Sequence, residues 1–537
     1  MSTQRWKGML GAGAILTLVG AQALPAAHAA PRAAAAAEIL RVAAQGVPDI
    51  TTLDPAVSSD YSSGLPVGMI YNGLLRFGIN PDGSFGKLTG ELASSWDVAK
   101  DGVTYTFHLR PGVRFSDGTP MTSADVIYSF TRALSPKLPY SPARSQLIGV
   151  KGAGAYIKGN ASAVAGLSAP DAQTVRISIL QPTGYFLDQL VGIYVVNRKA
   201  VDQYGSSWAD HGGGTGPFKI KSVTHGQGMV LVPNTYWYGG KVQLAEVDIP
   251  FILSASAAYN AYQTRSLDVA GVGAQGLPTN IVSKVVSTQD FHTAPGTVLN
   301  YIDLSQHAGS PFANLHVRRA FTYAADKSPL QRLLGPTFVP TDGFLFKGLP
   351  GYNPDLKTLH YNAEMARKEL ALAGYPGGKG FPLSTFIYYT GSSDTVNEVE
   401  ALQLEWQQVL GVQVRIRPES VGLLITHLIN RKFELALSIS PAAFPDPHGT
   451  LFALLSAGGF WNDTHYDSLV YKADAIVGDD TSRYAIYRQA EQYAVDQAPW
   501  IPLGVDNTAV LISPRVHGLI AVPAGIGAND WSQVSVQ

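Results

Sequence analysis

The sequence predicts an α/β protein. Three observations support this class: a strand-like run with period two near residue 105, helical stripes that end at glycine, and a helix that leads directly into a strand near residue 411. Regular alternation of such runs is typical of sheets covered by helices.

The strand-like run is GVTYTFHLRPGVRF, in which apolar Tyr105, Phe107 and Leu109 alternate with polar residues before a Pro-Gly pair ends the run. The pattern predicts a half-buried strand followed by a turn. The next stretch, SADVIYSFTRAL, has apolar residues at helical spacing and predicts a helix with Ser123 as its N-cap.

The helix-to-strand joint is VEALQLEWQQVLGVQVRIRPES. Leu402, Trp406 and Val409 share one helical face, Gly411 ends the helix, and an alternating strand follows. The stretch NAEMARKELALAG repeats the helical part, with Asn362 as the cap and Gly374 as the stop.

A last helix is predicted from about Ser482, in TSRYAIYRQAEQYAVDQAP, and it leads into the strand-like WIPLGV. The joints therefore recur along the chain, as expected for a wound α/β sheet.

Composition narrows the functional classes. The chain has 537 residues, enough for two to four domains, with 46% hydrophobic and 15% charged residues. A formal net charge of -1 gives no basic field for nucleic acid and no polybasic membrane patch. The absence of cysteine excludes disulfides, thiolate metal sites, cysteine nucleophiles and a lipid-modified N-terminal cysteine.

The N-terminus predicts export. Arg5 and Lys7 precede the uncharged run LGAGAILTLVGAQAL, and Ala27-His28-Ala29 offers a small-x-small cleavage site. We expect a signal peptide over residues 1–29, a low-complexity leader over residues 30–37, and no membrane insertion after cleavage.

The stretch LDVAGVGAQGLPTN contains Gly271, Gly273 and Gly276 in the spacing of a dinucleotide-binding fingerprint. The spacing alone is a weak signal in a chain with 55 glycines. An exported protein is also a poor candidate for a nicotinamide cofactor, so the alternative is three loop glycines.

Catalytic motifs are not found. The sequence has no G-x-S-x-G elbow, no H-E-x-x-H and no Walker A motif, and its 12 histidines show no metal-ligand spacing. Asp446 and Asp463 could serve a glycosidase as paired carboxylates, although such acids more often cap helices or hold turns. We expect no cofactor, no metal site and no enzymatic activity.

Several aromatic residues stand in glycine-rich, loop-like stretches. Core packing explains any single one of them, but as a group they resemble the lining of an organic-ligand cleft. The stretches are SSDYSSG, FIYYTGSS, AAFPDPHG and AGGFWND.

Residues 91–130, ELASSWDVAKDGVTYTFHLRPGVRFSDGTPMTSADVIYSF, resemble the hallmark segment of family 5 solute-binding proteins, the oligopeptide-, dipeptide- and nickel-binding type that serve ABC importers. Further landmarks of the family follow in order and extend the resemblance over nearly all of the chain after the leader. They are GTGPFKI, PNTYWYGGK, SPFANLHVRRAFTYAADKSPL, ARKELALAGYPGG and RYAIYRQAEQYAVDQAPWIPL.

The resemblance implies a two-lobed periplasmic-binding-protein fold of the class II type, with an extra subdomain inserted in lobe I and two hinge crossovers. The glycines at 271–276 then fall in a variable loop over the binding lobe. The implied limits are 38–75 and 206–291 for lobe I, 76–205 for the inserted subdomain, 292–504 for lobe II and 505–537 for the C-terminal return to lobe I.

The family also implies a function, namely capture of a peptide between the lobes, hinge closure and delivery to the permease subunits of an ABC importer. We expect a monomer in the periplasm or another extracytoplasmic space. A receptor for an oligosaccharide, opine-like compound or metal chelate is the alternative within the class, and a secreted hydrolase is the alternative outside it. The sequence gives no specific support for nickel or haem.

One departure from the family concerns the ligand's amine. Many peptide-binding members have an aspartate three residues before an Asp/Glu-Pro dipeptide, but here Ala443 precedes Asp446-Pro447. Either Asp446 or Asp60 replaces this aspartate, or the ligand has no free amine. The residues that we expect to bind ligand are Asp60, Tyr61, Ser63, Tyr389, Phe444, Asp446, Trp461 and Asn462.

Overall fold

The structure is a computed structural model that describes residues 38–138, 140–273, 276–390, 393–458, 461–523 and 525–537. The expected signal peptide and leader fall outside the described residues. Within the described part, no helix has the length and apolar character needed to cross a membrane.

The first half of the chain is rich in short strands. Residues 39–70 form β1 (Ile39–Arg41), β2 (Ala44–Gln45) and α1 (Tyr61–Ile70). Residues 75–204 form β3 (Leu75–Ile79), β4 (Phe85–Gly90), β5 (Ala93–Val98), β6 (Thr104–Leu109), α2 (Ser123–Ala133), α3 (Ala143–Leu147), α4 (Ala153–Ile157), β7 (Leu167–Asp171), β8 (Thr174–Ser178), α5 (Phe186–Gln189) and α6 (Arg198–Tyr204). Residues 218–294 form β9 (Phe218–Thr224), β10 (Gly228–Pro233), β11 (Glu246–Ile252), α7 (Ala255–Gln263), β12 (Val269–Ala270), α8 (Thr279–Val285) and β13 (Phe291–Ala294).

The second half contains the longer helices. Residues 298–419 form β14 (Val298–Leu304), α9 (Leu315–Tyr323), α10 (Lys327–Leu334), β15 (Phe338–Pro340), α11 (Ala363–Leu372), β16 (Ser384–Tyr389), α12 (Ser393–Leu410) and β17 (Val414–Glu419). Residues 421–536 form α13 (Val421–Ile429), β18 (Leu435–Pro441), α14 (His448–Leu451), α15 (Thr464–Asp474), α16 (Asp480–Gln497), β19 (Trp500–Asp506), β20 (Thr508–Ile512), β21 (Val516–His517) and β22 (Ser535–Val536).

The strands define three parts of the fold. The first lobe contains the sheet β1-β11-β10-β9, with β2 also beside β11, and the sheet β12-β20-β13. The inserted subdomain contains the sheet β5-β6-β8-β7 and the hairpin β3-β4. The second lobe is built on the six-stranded sheet β15-β19-β14-β18-β16-β17, in which β16 runs parallel to both neighbours and β14 runs antiparallel to both.

Each part buries its own apolar side chains. Leu40, Phe218 and Val510 belong to the core of the first lobe, and Phe107 belongs to the core of the inserted subdomain. Among the described residues, the large sheet of the second lobe contributes to three apolar clusters, one of which surrounds Trp406. Burial on both faces of this sheet explains why the chain alternates strands with helices there, and it confirms the α/β class.

The local predictions hold with one correction. Strand β6 buries Tyr105, Phe107 and Leu109 as the alternation predicts. Ser123, however, is not the N-cap of α2. Its hydroxyl donates to the carbonyl of Asp171, and Thr122 is the N-cap, with the Asp125 carboxylate accepting from the Thr122 N–H at 2.9 Å. Serine and threonine can both cap a helix. Here Asp125, three residues after Thr122, favours Thr122 because the two residues form a capping box.

The later helices end where the sequence predicts. Asn362 caps α11, and Gly374 follows it with φ +96°. Gly411 ends α12 with φ +70°, a left-handed value that glycine adopts without strain, and β17 follows. The last long helix, α16, begins at Asp480 behind the cap Asp479, close to the predicted start at Ser482.

The chain crosses between the first and second lobes at residues 295–297 and again at Asn507. The two crossovers touch, because the Gly296 N–H donates to Asn507 Oδ1 at 3.1 Å. The Asn507 N–H donates to the carbonyl of Thr337 at 2.9 Å. A Cβ on Gly296 would collide with the carbonyl oxygen of Asp506, so this close approach requires glycine.

Candidate ligand-binding cleft

A cavity of about 460 Å³ lies where the first and second lobes meet. The first lobe supplies residues of the segments 271–273 and 276–279 and the start of β20, and the second lobe supplies the starts of β14 and α12 and the end of β19. Gly296 and Asn507, from the two crossovers, also line the cavity. Because its walls belong to different lobes, a hinge motion at the crossovers would open or close it.

The glycine-rich loop forms the first-lobe wall. Gly271, Gly273 and Gly276 have φ values of +88°, +119° and +53°, which explains the need for glycine. Gln45 holds the loop, because its side-chain nitrogen donates to the carbonyl of Gly276 at 2.6 Å and its oxygen accepts from the Gly271 N–H at 3.3 Å. Helix α8 begins after Pro278, whereas the glycines of a dinucleotide fingerprint open the helix itself. The three residues are loop glycines that shape the cleft.

Three carboxylates of the second lobe line the same cavity. Asp394 lies in the first turn of α12, Glu398 lies one turn further along the helix, and Asp506 is the last residue of β19. Asp394 Oδ2 accepts from the Thr279 hydroxyl at 2.9 Å, a hydrogen bond that joins the two lobes across the cleft. Asp506 Oδ2 accepts from the side-chain amide of Asn300 at 2.9 Å.

Glu398 differs from the other two acids. Its side chain is only 6% exposed, and its Oε1 has no hydrogen-bond partner among the described residues. The pKa of Glu398 is raised to about 8, first by burial and then by the negative charges of Asp506 and Asp394. The pKa of Asp506 is raised as well, chiefly by loss of hydration in the cleft. The three carboxyl groups at this end of the cleft therefore cannot all be ionised at low cost unless a cation is present.

A larger depression of about 630 Å³ lies elsewhere, on the second lobe alone. Its charged groups already pair with one another, because Asp342 contacts both the Lys327 ammonium and the His360 ring. The described residues contain no group of three or more His, Cys, Asp or Glu side chains placed to share a metal ion. The cavity between the lobes is the better candidate for ligand.

Sequence comparison gives the family. The profile described as "Bacterial extracellular solute-binding proteins, family 5 Middle" matches residues 87–462. The chain belongs to this family. The predicted membership is thereby confirmed, and what these proteins share is the binding of solutes.

Individual relatives agree with this assignment. The dipeptide-binding protein DppE of Bacillus subtilis is 25% identical over 509 residues, which cover 90% of each chain. The haem-binding protein A of Haemophilus influenzae is 26% identical over 494 residues, which cover 86% of each chain. The solved structure of the periplasmic oligopeptide-binding protein OppAIV from Borrelia burgdorferi superposes with a TM-score of 0.71 at 26% identity, covering 93% of this chain and all of that one. The two-lobed fold predicted from the family resemblance is confirmed.

The residues that the sequence predicts to bind ligand lie outside the cavity between the lobes. Of those whose side chains are described, none lines the cavity of about 460 Å³. In the first lobe, Asp60 caps α1 by accepting from the Ser63 N–H at 2.8 Å. Ser63 is buried, and its hydroxyl oxygen accepts from the Thr51 N–H at 3.2 Å. The side chain of Tyr61 lies outside the described residues.

The predicted residues near Pro447 lie at a second contact, outside the cavity, where the inserted subdomain meets the second lobe. Phe444 stacks on Tyr185 of the subdomain at 5.4 Å between ring centroids, and Tyr185 stacks on His448 at 3.9 Å. Asp446 is fully buried, and its Oδ2 lies 2.6 Å from Arg483 Nη1. We call this the far end, and the cavity with Glu398 the hinge end.

The remaining predicted residues differ in exposure. Trp461 is 5% exposed and packs against Tyr466 and Tyr493, with centroid distances of 5.0 and 6.0 Å. Asn462 and Tyr389 are exposed. Asp463, considered with Asp446 as a glycosidase pair, caps α15 and accepts from the Tyr493 hydroxyl at 2.9 Å. Structural contacts thus occupy both acids of that pair.

Sequence reasoning missed the acids of the hinge end. Asp394 and Glu398 are spaced by one helical turn at the start of a predicted helix, and Asp506 directly follows the predicted strand WIPLGV. Both signals are common in α/β proteins, and neither reveals that the two elements meet at one cavity.

Proposed function

We propose that this protein is the extracytoplasmic binding component of an ABC importer and that it captures peptides in the cleft between its lobes. Ligand contacts on both lobes select a closed state, and the closed complex is delivered to the permease subunits without a covalent step. The protein acts as a monomer in the periplasm or another extracytoplasmic space, after removal of an N-terminal signal peptide, and it is not an enzyme.

One observation carries this proposal: the cavity is lined by both lobes and bordered by both crossovers. Its volume of about 460 Å³ lies in the usual range for organic-ligand sites, roughly 300–1,000 Å³. Relatives named for dipeptides and oligopeptides support peptides as the ligands. The lobe limits expected from the resemblance, 38–75, 206–291 and 505–537 for lobe I, 76–205 for the insertion and 292–504 for lobe II, remain proposals. The crossovers described above favour small shifts of the two lobe II limits, to residues 295–297 and to Asn507.

The wider ligand contacts remain proposals too. The hinge end supplies one wall of the ligand site, and the exposed residues Tyr389 and Asn462 are candidates for contacts further along the cleft. Asp60, Tyr61, Ser63, Phe444, Asp446 and Trp461 complete the set predicted from the sequence. Alanine substitutions that change affinity without changing the melting temperature would identify true contacts among them.

Native mass spectrometry tests the function directly. The protein is purified from cells grown in rich medium, and any bound small molecule is identified after denaturation. We expect a set of short peptides, recovered intact after prolonged incubation with the protein. A single non-peptide mass would overturn peptides as the ligand, and steady turnover of added peptides would instead indicate a hydrolase.

A further inference from the structure

Glu398 at the hinge end is a buried acid that pairs with no basic side chain in the described part of the chain. The described residues that line the cavity include no lysine, arginine or histidine. Burying a carboxylate is costly unless it is paired, so a protein that keeps one beside an open cavity leaves a position for a cation from outside. The unpartnered Oε1 of Glu398, on a side chain that is 6% exposed, marks that position.

The surroundings of Glu398 fit an organic cation. Asp394 and Asp506 each accept one hydrogen bond from a neighbouring side chain, which orients them and leaves further acceptor sites. Apolar side chains lie beside the carboxylates in the same cavity, among them Leu277, Val298 and Ile439. An alkyl stem that ends in an ammonium or guanidinium group matches such a lining.

We infer that the hinge end of the cleft is a subsite for a positively charged group of the ligand, held by Glu398 with Asp394 and Asp506. This inference rests on the proposed peptide function. In a peptide the charged group is either the N-terminal ammonium or the side chain of lysine or arginine. The subsite would supply an anionic partner for the charged group of the ligand. The chain has no such partner at Ala443, where many peptide-binding members of the family have an aspartate.

Binding of a cation at this subsite is coupled to the release of a proton from Glu398. The pKa of Glu398, about 8 in the empty cleft, means that the side chain is mostly protonated at neutral pH, so an incoming cation displaces a proton. The titratable groups that act on Glu398 are Asp394 of α12 and Asp506 of β19. The other elements around the cavity present Thr279, Asn300, Leu334 and Ile439, which do not titrate.

Pools of matched peptides test the inference. Each pool contains peptides of two to six residues in four forms, with lysine or norleucine at one position and with a free or an acetylated N-terminus. Affinities for wild type and Glu398→Gln are measured by competition in native mass spectrometry and by titration calorimetry. Glu400→Gln is the matched control, since Glu400 lies on the same helix but is exposed and does not line the cavity.

We expect the forms that carry the recognised charge to bind wild type and Glu400→Gln about 30-fold or more tightly than the acetylated norleucine form, and this preference to disappear in Glu398→Gln. The form whose loss of charge abolishes the preference identifies the source, N-terminal ammonium or lysine side chain. Between pH 6 and 7, where both kinds of ammonium stay protonated, affinity for wild type should rise by up to about tenfold, and this rise should be absent in Glu398→Gln.

Three failures can be distinguished by their outcomes. If peptides bind wild type equally well in all four forms, or if Glu398→Gln keeps the preference, the cation subsite is wrong and the peptide function stands. If no pool binds wild type, the peptide function itself is wrong, and the subsite inferred from it falls as well. Binding that requires an added divalent metal and is abolished by EDTA would also overturn an organic cation at Glu398.

Discussion

The far end and the hinge end each contain a buried carboxylate of the second lobe, but only the carboxylate at the far end pairs with a cation. At the far end, Asp446 lies 2.6 Å from the Arg483 guanidinium and accepts from the His448 N–H at 2.9 Å. At the hinge end, Glu398 has two further carboxylates nearby and pairs with no basic side chain among the described residues. Burial raises the pKa of both, but only Asp446 has a cation that opposes this rise.

This difference teaches how to separate structural acids from acids that await a ligand. A paired acid belongs to the folded protein and contributes to holding its elements together. An unpaired acid beside a cavity destabilises the empty protein, and a ligand that neutralises it recovers that free energy on binding. Substitutions at the two ends should therefore change different quantities, stability at the far end and ligand affinity at the hinge end.

The largest effect is expected from breaking the far-end pair. Asp446→Ala leaves Arg483 buried without its strongest partner and should lower the free energy of unfolding by about 3–5 kcal/mol, measured by urea denaturation. Asp480→Asn is the control, because Asp480 also contacts Arg483 but is 66% exposed, and it should cost less than about 1 kcal/mol. If Asp446→Ala kept wild-type stability and lost ligand binding, Asp446 would be a ligand contact after all.

Trp461→Ala should come next, with a loss of about 3 kcal/mol in the free energy of unfolding. The ring packs against Tyr466, which is fully buried, and its removal leaves a cavity in the second-lobe core. Tyr471→Ala, an aromatic deletion on α15 at a side chain that is 48% exposed, should change stability by less than 0.5 kcal/mol as a control. An unchanged melting temperature with weakened ligand binding would place Trp461 in the cleft instead.

Glu398→Gln should make the stability of the ligand-free protein less sensitive to a rise in pH between about 4.5 and 8. Because the pKa of Glu398 is higher in the folded protein than in the unfolded chain, its contribution to stability is complete below about pH 4.5 and is lost as the pH rises through about 8. Glutamine has no proton to lose. The variant should lie within about 1 kcal/mol of wild type at pH 5 and exceed it by about 3 kcal/mol at pH 7 in urea denaturation. Equal pH profiles for the two proteins would mean that Glu398 is not buried as an unpaired acid.

The contrast between the ends also explains what the sequence could predict. Helix α12, its end at Gly411 and strand β17 follow from patterns within about 25 residues, and the structure has all three where these local patterns predict them. The approach of Asp506 to Glu398 and the pairing of Asp446 with Arg483 depend on how elements distant in the sequence pack together. No local sequence pattern encodes this packing. The family resemblance supplied the two lobes and crossovers, but the departure at Ala443 left the position of the ligand's partner open.

The smallest effect concerns the hydrogen bond that joins the lobes at the hinge end. Thr279→Val keeps the shape of the side chain and removes the donor to Asp394, so an arrangement with the two lobes in contact at this point loses roughly 0.5–1.5 kcal/mol relative to one in which they are apart. Ligand affinity should fall by roughly two- to tenfold, since closure contributes to binding. Small-angle scattering with a saturating peptide should still detect the closed form, while calorimetry detects the weaker affinity. Thr288→Val is the control, because the Thr288 hydroxyl donates to Val285 within the first lobe. If Thr279→Val and Thr288→Val weakened binding equally, the bond to Asp394 would have no specific part in closure.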